Sequence, residues 1–271
     1  MTGMQNLHTH TTYCDGALPP EEMIKAALEK GCGSIGFSEH SHVTFDHEFS
    51  MFPDLTVEYI REVNRLRDKY EGEIEVFLGL EQDYYTDFKP DGLDYTIGTL
   101  HYVKKGEQYI AVDAGTRHQK RMVEDFFGGD FYALAEDYYS VFAKIISKTN
   151  ADIVGHFDLI AKYNIDRNMY DEMHPRHMNA ALGAMDEILK SCKLFEVNTG
   201  AMYRNNKPEP YPSVILLKEL YKRGGEVIMT SDSHDAGSIC YKFDEMRELL
   251  KSCGFKYSKR LTKTGFISER L

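Results

Sequence analysis

The sequence predicts an α/β fold, a barrel-like arrangement of seven strands wrapped by helices. Short apolar runs of strand type alternate with helical patterns along the chain, the mark of a mainly parallel sheet with covering helices. The length of 271 residues suits one (β/α) barrel of about 250 residues or more better than two domains. No internal repeat, low-complexity segment or Ser/Gly/Pro linker divides the chain, so residues 1–271 are expected to form one domain. An open doubly wound sheet is the runner-up, because periodicity does not report closure.

The first apolar run covers residues 5–10. A helix over 20–30 follows, opened by two prolines and closed by Gly31, as helix starts and stops prefer. The second run is 34–40, and the helix near 56–70 carries apolar residues at 59, 60, 63, 66 and 70, one face of a 3.6 period. The third run is 74–81 and the fourth 95–103. A longer excursion then holds a ribbon strand at 108–112 and helical stretches up to 148, split by Gly-Gly-Asp at 128–130. Tyr138, Tyr139 and Phe142 there stand at helical spacing and are expected to pack. The fifth run is 152–157, with a helix at 175–190. The sixth is 194–198, with a polar loop at 199–212 and a helix at 213–223. The seventh is 227–234, with a last helix at 243–252; the tail 255–271 is ambiguous.

Composition narrows the function. A net charge of −11 argues against a dedicated binder of duplex nucleic acid, which shows a basic footprint. It leaves room for a small anionic substrate, since bound cations reverse the field inside a pocket. The five cysteines form no C-x-x-C pair, which disfavours a disulfide framework or a thiolate zinc site and suits a reducing cytoplasm. No signal-peptide pattern and no run of about 18 apolar residues is seen, so neither export nor a membrane span is expected.

The chemistry gathers at strand ends. The first strand ends in His8-Thr9-His10, the second in Glu39-His40, the third in Glu81, the fourth in His101, the fifth in His156 and the seventh in Asp232-Ser233-His234. Only the sixth, ending at Asn198, lacks an obvious ligand. In α/β sheets and barrels, chemistry sits at the carboxyl ends of strands. Residues two apart on a strand share a face, so His8 and His10 converge, as do Asp232 and His234. Nitrogen and oxygen donors without thiolate suit Zn, Mn or Fe. Eight or nine such groups exceed the coordination of one ion, so two or three cations sharing a carboxylate are expected, with Glu81 as the bridge. A two-metal clamp suits phosphoryl hydrolysis. Glu39, alternating with His40, is expected to face away as a structural ion-pair member.

The motifs HTHTTYCDG, FSEHS, GLEQD, GTLHY, GHFDL, EVNTG and SDSH together resemble the polymerase-and-histidinol-phosphatase (PHP) superfamily, and within it the PHP-type histidinol-phosphatases. The likeness runs from Asn6 to the last helix. It implies a single-domain distorted seven-stranded (β/α)7 barrel with a trinuclear centre. Carried over, His8, His10, Glu81 and Asp232 hold the first metal, Glu81, His101 and His156 the second, and Asp15, His40 and His234 the third. Asp15 also precedes Gly16, and Asp-Gly is a common turn. The implied reaction is hydrolysis of L-histidinol phosphate to L-histidinol and phosphate by a metal-activated hydroxide, in histidine biosynthesis. Glu81, Asp232 and His234 are the expected catalytic groups. Another phosphomonoester or nucleotide as substrate, or a metal-binding module without turnover, are the alternatives.

Substrate contacts are assigned more loosely. Arg204, in the loop after strand six, is placed to grip phosphate. His42, just past His40, and Arg117, after the fourth-strand excursion, are further substrate candidates; Arg117 and Arg121 alike either cap the site or lie on a solvated helix face. Lys162 is a weaker phosphate candidate, and Asp158 is expected to orient His156 or bind a substrate amine. The oligomeric state is not legible.

Overall fold

The structure is a computed structural model that describes residues 3–165 and 169–271. Seven parallel strands form one sheet: β1 (Met4–Asn6), β2 (Cys32–Phe37), β3 (Glu75–Asp83), β4 (Tyr95–Thr99), β7 (Ile153–Val154), β8 (Leu194–Asn198) and β9 (Glu226–Thr230), in that spatial order. The ring closes beyond the strand ends. Thr9 pairs in parallel with Ser233, the His10 amide donates to the Ser233 carbonyl at 2.8 Å, and the Ser233 amide donates to the His8 carbonyl at 2.9 Å. The barrel therefore replaces the open sheet as the architecture.

Two apolar layers hold it. Leu7, Phe77, Tyr95, Ile97, Ile153, Leu194 and Ile228 fill the barrel. A larger core lies between the outer face of the sheet and the helices. Tyr95 crosses the barrel interior and donates to the carbonyls of Leu7 and of Phe37, the latter at 3.1 Å. It needs glycine beneath it: a Cβ on Gly79 would lie 2.3 Å from the Tyr95 ring.

The helices follow local rules. Pro19 and Pro20 open α1 (Pro20–Glu29), with Glu21 and Glu22 favourably placed in the first turn. α2 (Pro53–Lys69) buries Tyr59, Val63 and Leu66. The Gly-Gly-Asp break does what it promises. Gly128 ends α3 (Thr116–Phe127) with a left-handed residue, and Asp130 caps α4 (Phe131–Phe142) by accepting from the amides of Tyr132 and Ala133. Further helices are α5 (Ile145–Thr149), α6 (Pro175–Ile188), α8 (Val214–Lys222) and α9 (Phe243–Cys253).

Three expectations are corrected. The fourth apolar run is not one strand: β4 stops at Thr99, and residues 102–105 form β5 (Tyr102–Lys105), an antiparallel hairpin with β6 (Gln108–Ala111). A run of apolar residues cannot show where a chain changes partner. The polar loop after strand six contains a short helix, α7 (Gly200–Arg204). The ambiguous tail is a hairpin, β10 (Tyr257–Thr262) with β11 (Gly265–Arg270), that stoppers the amino end of the barrel. There Leu261 joins the interior cluster, and Gln5 exchanges two hydrogen bonds with the Leu261 main chain, at 3.0 and 2.8 Å.

Candidate metal centre

With the amino end stoppered, the carboxyl end is where polar side chains meet. Glu81, at 1% exposure, stands at the middle. Its Oε2 lies 2.8 Å from His40 Nδ1, 3.5 Å from His8 Nε2 and 3.4 Å from His10 Nε2. Its Oε1 lies 2.8 Å from His156 Nε2 and 3.3 Å from His101 Nε2. The two oxygens of one carboxylate thus face two different sets of imidazoles. Asp232 Oδ1 closes the first set, 3.4 Å from His10 Nε2 and 3.8 Å from His8 Nε2. Asp15 gathers another: its oxygens lie 3.6 Å from His40 Nε2 and 3.1 Å from His234 Nε2. Ligand atoms of His10, Asp15, His40 and His234 all fall within 4.8 Å of one another.

The shared direction of Asp232 and His234 does not come from strand period. β9 ends at Thr230, and Asp232 turns the chain with a left-handed φ of 45°. A non-glycine residue held there costs of order 1–3 kcal/mol, a strain that collects at functional sites. Gly16 does make the turn expected of Asp-Gly, its amide donating to Thr11 at 2.9 Å. Asp15 still sends its carboxylate to His40 and His234.

Electrostatics bind the cluster together. Burial works against the Glu81 carboxylate, but His40, His8 and His101 hold it well below its usual range. Burial likewise opposes ionised Asp232, and Arg204 and His8 outweigh it. His10 is pushed down to about 3 by burial and by the neighbouring His234 and His40. His101 goes the other way: burial opposes its charged form, yet Glu81 and Asp83 raise it to about 10.

The donors fit divalent cations. His8 Nε2, His10 Nε2 and Glu81 Oε2 are buried and have no hydrogen-bond partner. Buried acceptors are rarely left so, and three turned toward a common space with Asp232 are what a cation satisfies.

Other residues support this shell. Glu39 is fully buried and does not make the ion pair expected of it. It accepts from the Thr11 amide at 3.1 Å, the Thr11 hydroxyl at 2.6 Å and the Cys14 thiol at 2.7 Å, pinning the loop that carries Asp15. Asp83 accepts from the His101 amide at 2.9 Å and meets His101 Nδ1 at 3.2 Å. Strand six, expected to be without a ligand, contributes Glu196, fully buried and 2.8 Å from His8 Nδ1. Its signal was available: a glutamate two before Asn198 in an otherwise apolar run shares the face of Asn198.

A cavity of about 470 Å³ opens over the cluster. Arg204 lines it, donating to Asp232 Oδ2 at 2.9 Å and to the Asp232 carbonyl, with His234 Nδ1 2.7 Å away. Lys162 lines it too, paired with Asp113 at 2.9 Å. The remaining candidates lie elsewhere. Ser41 and Val43 face the cavity, but His42 between them packs toward His47 and Phe52. Arg117 is exposed in the first turn of α3, off the cavity wall, and Arg121 pairs with Asp125 in solvent. Asp158 is off the wall as well. It accepts from the Ser213 amide at 2.9 Å, while His156 Nδ1 has no partner, so Asp158 does not orient that ring.

Comparison with known proteins adds the lineage. The model of the PHP domain family matches residues 6–200. A Deinococcus radiodurans protein named "Probable histidinol-phosphatase" is 27% identical over 262 residues, covering 92% of this chain and 94% of its own. The "Histidinol-phosphatase" of Bacillus subtilis is 23% identical, covering 89% and 97%. The crystal structure of histidinol phosphate phosphatase from Lactococcus lactis, complexed with zinc, L-histidinol and phosphate, superposes with a TM-score of 0.75 at 21% identity, covering 97% of this chain and 98% of that one.

Proposed function

The chain belongs to the PHP domain family, and from that premise we propose that it hydrolyses L-histidinol phosphate to L-histidinol and phosphate. One observation carries the chemistry: eight imidazole and carboxylate side chains from the strand ends and the loops after them gather about Glu81, with buried acceptors left for cations. Relatives named histidinol-phosphatase over nearly the whole chain carry the substrate.

In this reading His8, His10, Glu81 and Asp232 hold one cation, Glu81, His101 and His156 a second, and Asp15, His40 and His234 a third. Such cations supply Lewis acidity toward phosphoryl oxygens and make a water ionise near neutral pH. Glu81 and Asp232 remain anionic throughout the neutral range, because the surrounding cations of the protein outweigh the burial that opposes their charge. Arg204, tethered to Asp232 and His234, offers its guanidinium to the phosphoryl group from the cavity wall. Lys162 adds a second positive charge on that wall. The water oxygen bonds to phosphorus as the phosphorus–alkoxy bond breaks, and the alcohol leaves with a proton.

No helix among the described residues is long and apolar enough to cross a membrane. All five cysteines are free thiols, which supports a reducing cytoplasm as the site of action.

The test is a substrate panel on protein of measured metal content: histidinol phosphate, nucleoside monophosphates and p-nitrophenyl phosphate. Histidinol phosphate is expected to lead in kcat/KM by at least ~10-fold, about 1.4 kcal/mol of transition-state discrimination. Chelation should abolish turnover, and zinc or manganese should restore it. A nucleotide in first place, or full activity without metal, overturns the assignment.

A further inference from the structure

We propose that Glu196 is a positioning residue that fixes the tautomer of His8 and so keeps the first cation position open. The inference rests on the metal-binding part of the reading above.

In β8, Phe195 and Val197 belong to the outer core, while Leu194 belongs to the barrel interior. Glu196 therefore projects inward with Leu194 and Asn198, and it is fully buried. It receives four hydrogen bonds. Oε2 accepts from His8 Nδ1 and from the Thr230 hydroxyl, each at 2.8 Å. Oε1 accepts from the His156 amide at 2.5 Å and from Asn198 Nδ2 at 2.9 Å. A carboxylate offers acceptors only. His8 must then donate from Nδ1, so the neutral, cation-binding form of the ring keeps its lone pair on Nε2. That Nε2 is the buried, unpartnered atom 3.5 Å from Glu81 Oε2 and 3.8 Å from Asp232 Oδ1. A carboxylate behind a ligating imidazole sets its orientation and basicity. Here the same carboxylate also holds the main chain of His156, so one buried group supports an imidazole on each side of Glu81.

Glutamine at this position makes a specific failure. Its NH2 cannot face the Oε1 side, where a backbone N–H and an amide NH2 both have to donate. It must take the Oε2 side. Thr230 can rotate to accept, but His8 has to turn its lone pair to Nδ1 and its proton to Nε2, where the cation belongs. The volume change is negligible, so packing survives while the ligand is lost.

The experiment measures metal per chain by mass spectrometry, with zinc affinity by calorimetry, on the wild-type protein, Glu196→Gln and Thr230→Val. Thr230→Val removes a hydrogen bond from the same oxygen and leaves His8 alone. Glu196→Gln is expected to weaken metal binding about 10- to 100-fold at one position, while Thr230→Val keeps the wild-type content. Chelated Glu196→Gln should still melt cooperatively, which separates lost metal from lost fold. Wild-type metal binding in Glu196→Gln, equal loss in Thr230→Val, or a chelated Glu196→Gln with no cooperative melt would each refute the tautomer role. A wild-type protein that binds metal but ignores histidinol phosphate would defeat the proposed substrate and leave Glu196 standing.

Discussion

Arg204 and Lys162 reach the cavity from different strand-end loops, and each is already tied to an acid, Asp232 and Asp113. Their charges act on one another, Arg204 working against the ammonium of Lys162. Two cations held near each other on one wall suit a doubly charged phosphoryl group. Lys162→Ala is accordingly expected to raise KM for the phosphomonoester about tenfold, about 1.4 kcal/mol, with metal content unchanged. Arg117→Ala should leave KM within about twofold, as expected of surface changes within about 0.5 kcal/mol. Steady-state kinetics on the two variants decides it, and the reverse order would remove Lys162 from the site. In the sequence, Arg117 follows the fourth-strand excursion and is a candidate to cap the site. The hairpin of that excursion instead leaves the start of α3 in solvent, while a 3-10 turn at Leu159–Ala161 brings Lys162 to the wall.

The element that matters most for the centre is the turn from His10 to Gly16. Glu39 pins it from below, and the amides of Cys14 and Gly16 donate to the Thr11 carbonyl at 3.1 and 2.9 Å. Gly16 is required by contact. A Cβ there would sit 2.4 Å from the Thr11 amide nitrogen and 2.5 Å from the His10 carbonyl carbon, both main chain that cannot swing aside. Gly16→Ala is therefore expected to push Asp15 off His40 and His234 and to cost about 1–3 kcal/mol, typical of overpacking. Metal analysis should show selective loss at the Asp15 position, and denaturant melts should show the destabilisation. A variant with full metal and wild-type stability would contradict that role. Asp-Gly was legible as a turn in the sequence. That the same turn delivers a carboxylate to two imidazoles depends on His40 and His234, far away in the chain.

At the scale of the whole molecule, the helical layer carries its own titrating group. His177 on α6 is 2% exposed, its Nδ1 has no partner, and its ring lies among Tyr139 and Tyr170 at 5.5 and 5.4 Å. Burial lowers its pKa from 6.5 to about 4, with Asp171 opposing weakly. The folded state thus rejects a proton that the unfolded chain accepts. The stability this contributes is complete above pH 6.5 and is lost as pH falls through 4, amounting to about 3 kcal/mol at about 1.4 kcal/mol per unit. His177→Leu should flatten the fall of melting temperature across that window. An unchanged slope in metal-free protein would show that His177 is not the group responsible.

Residue type and spacing along the chain were enough to place the seven barrel strands and their main helices in order and to pick out imidazoles and carboxylates at six strand ends. Both are local properties: period reports which face of an element is buried, and a ligand's chemistry travels with the residue. Tertiary structure alone decided the rest. Closure depends on Thr9 meeting Ser233, the stopper at the amino end on Gln5 meeting Leu261, and the support of His8 on Glu196. Each of these contacts joins residues about 190 or more apart in the chain, where no local pattern records which partner a buried polar group will find.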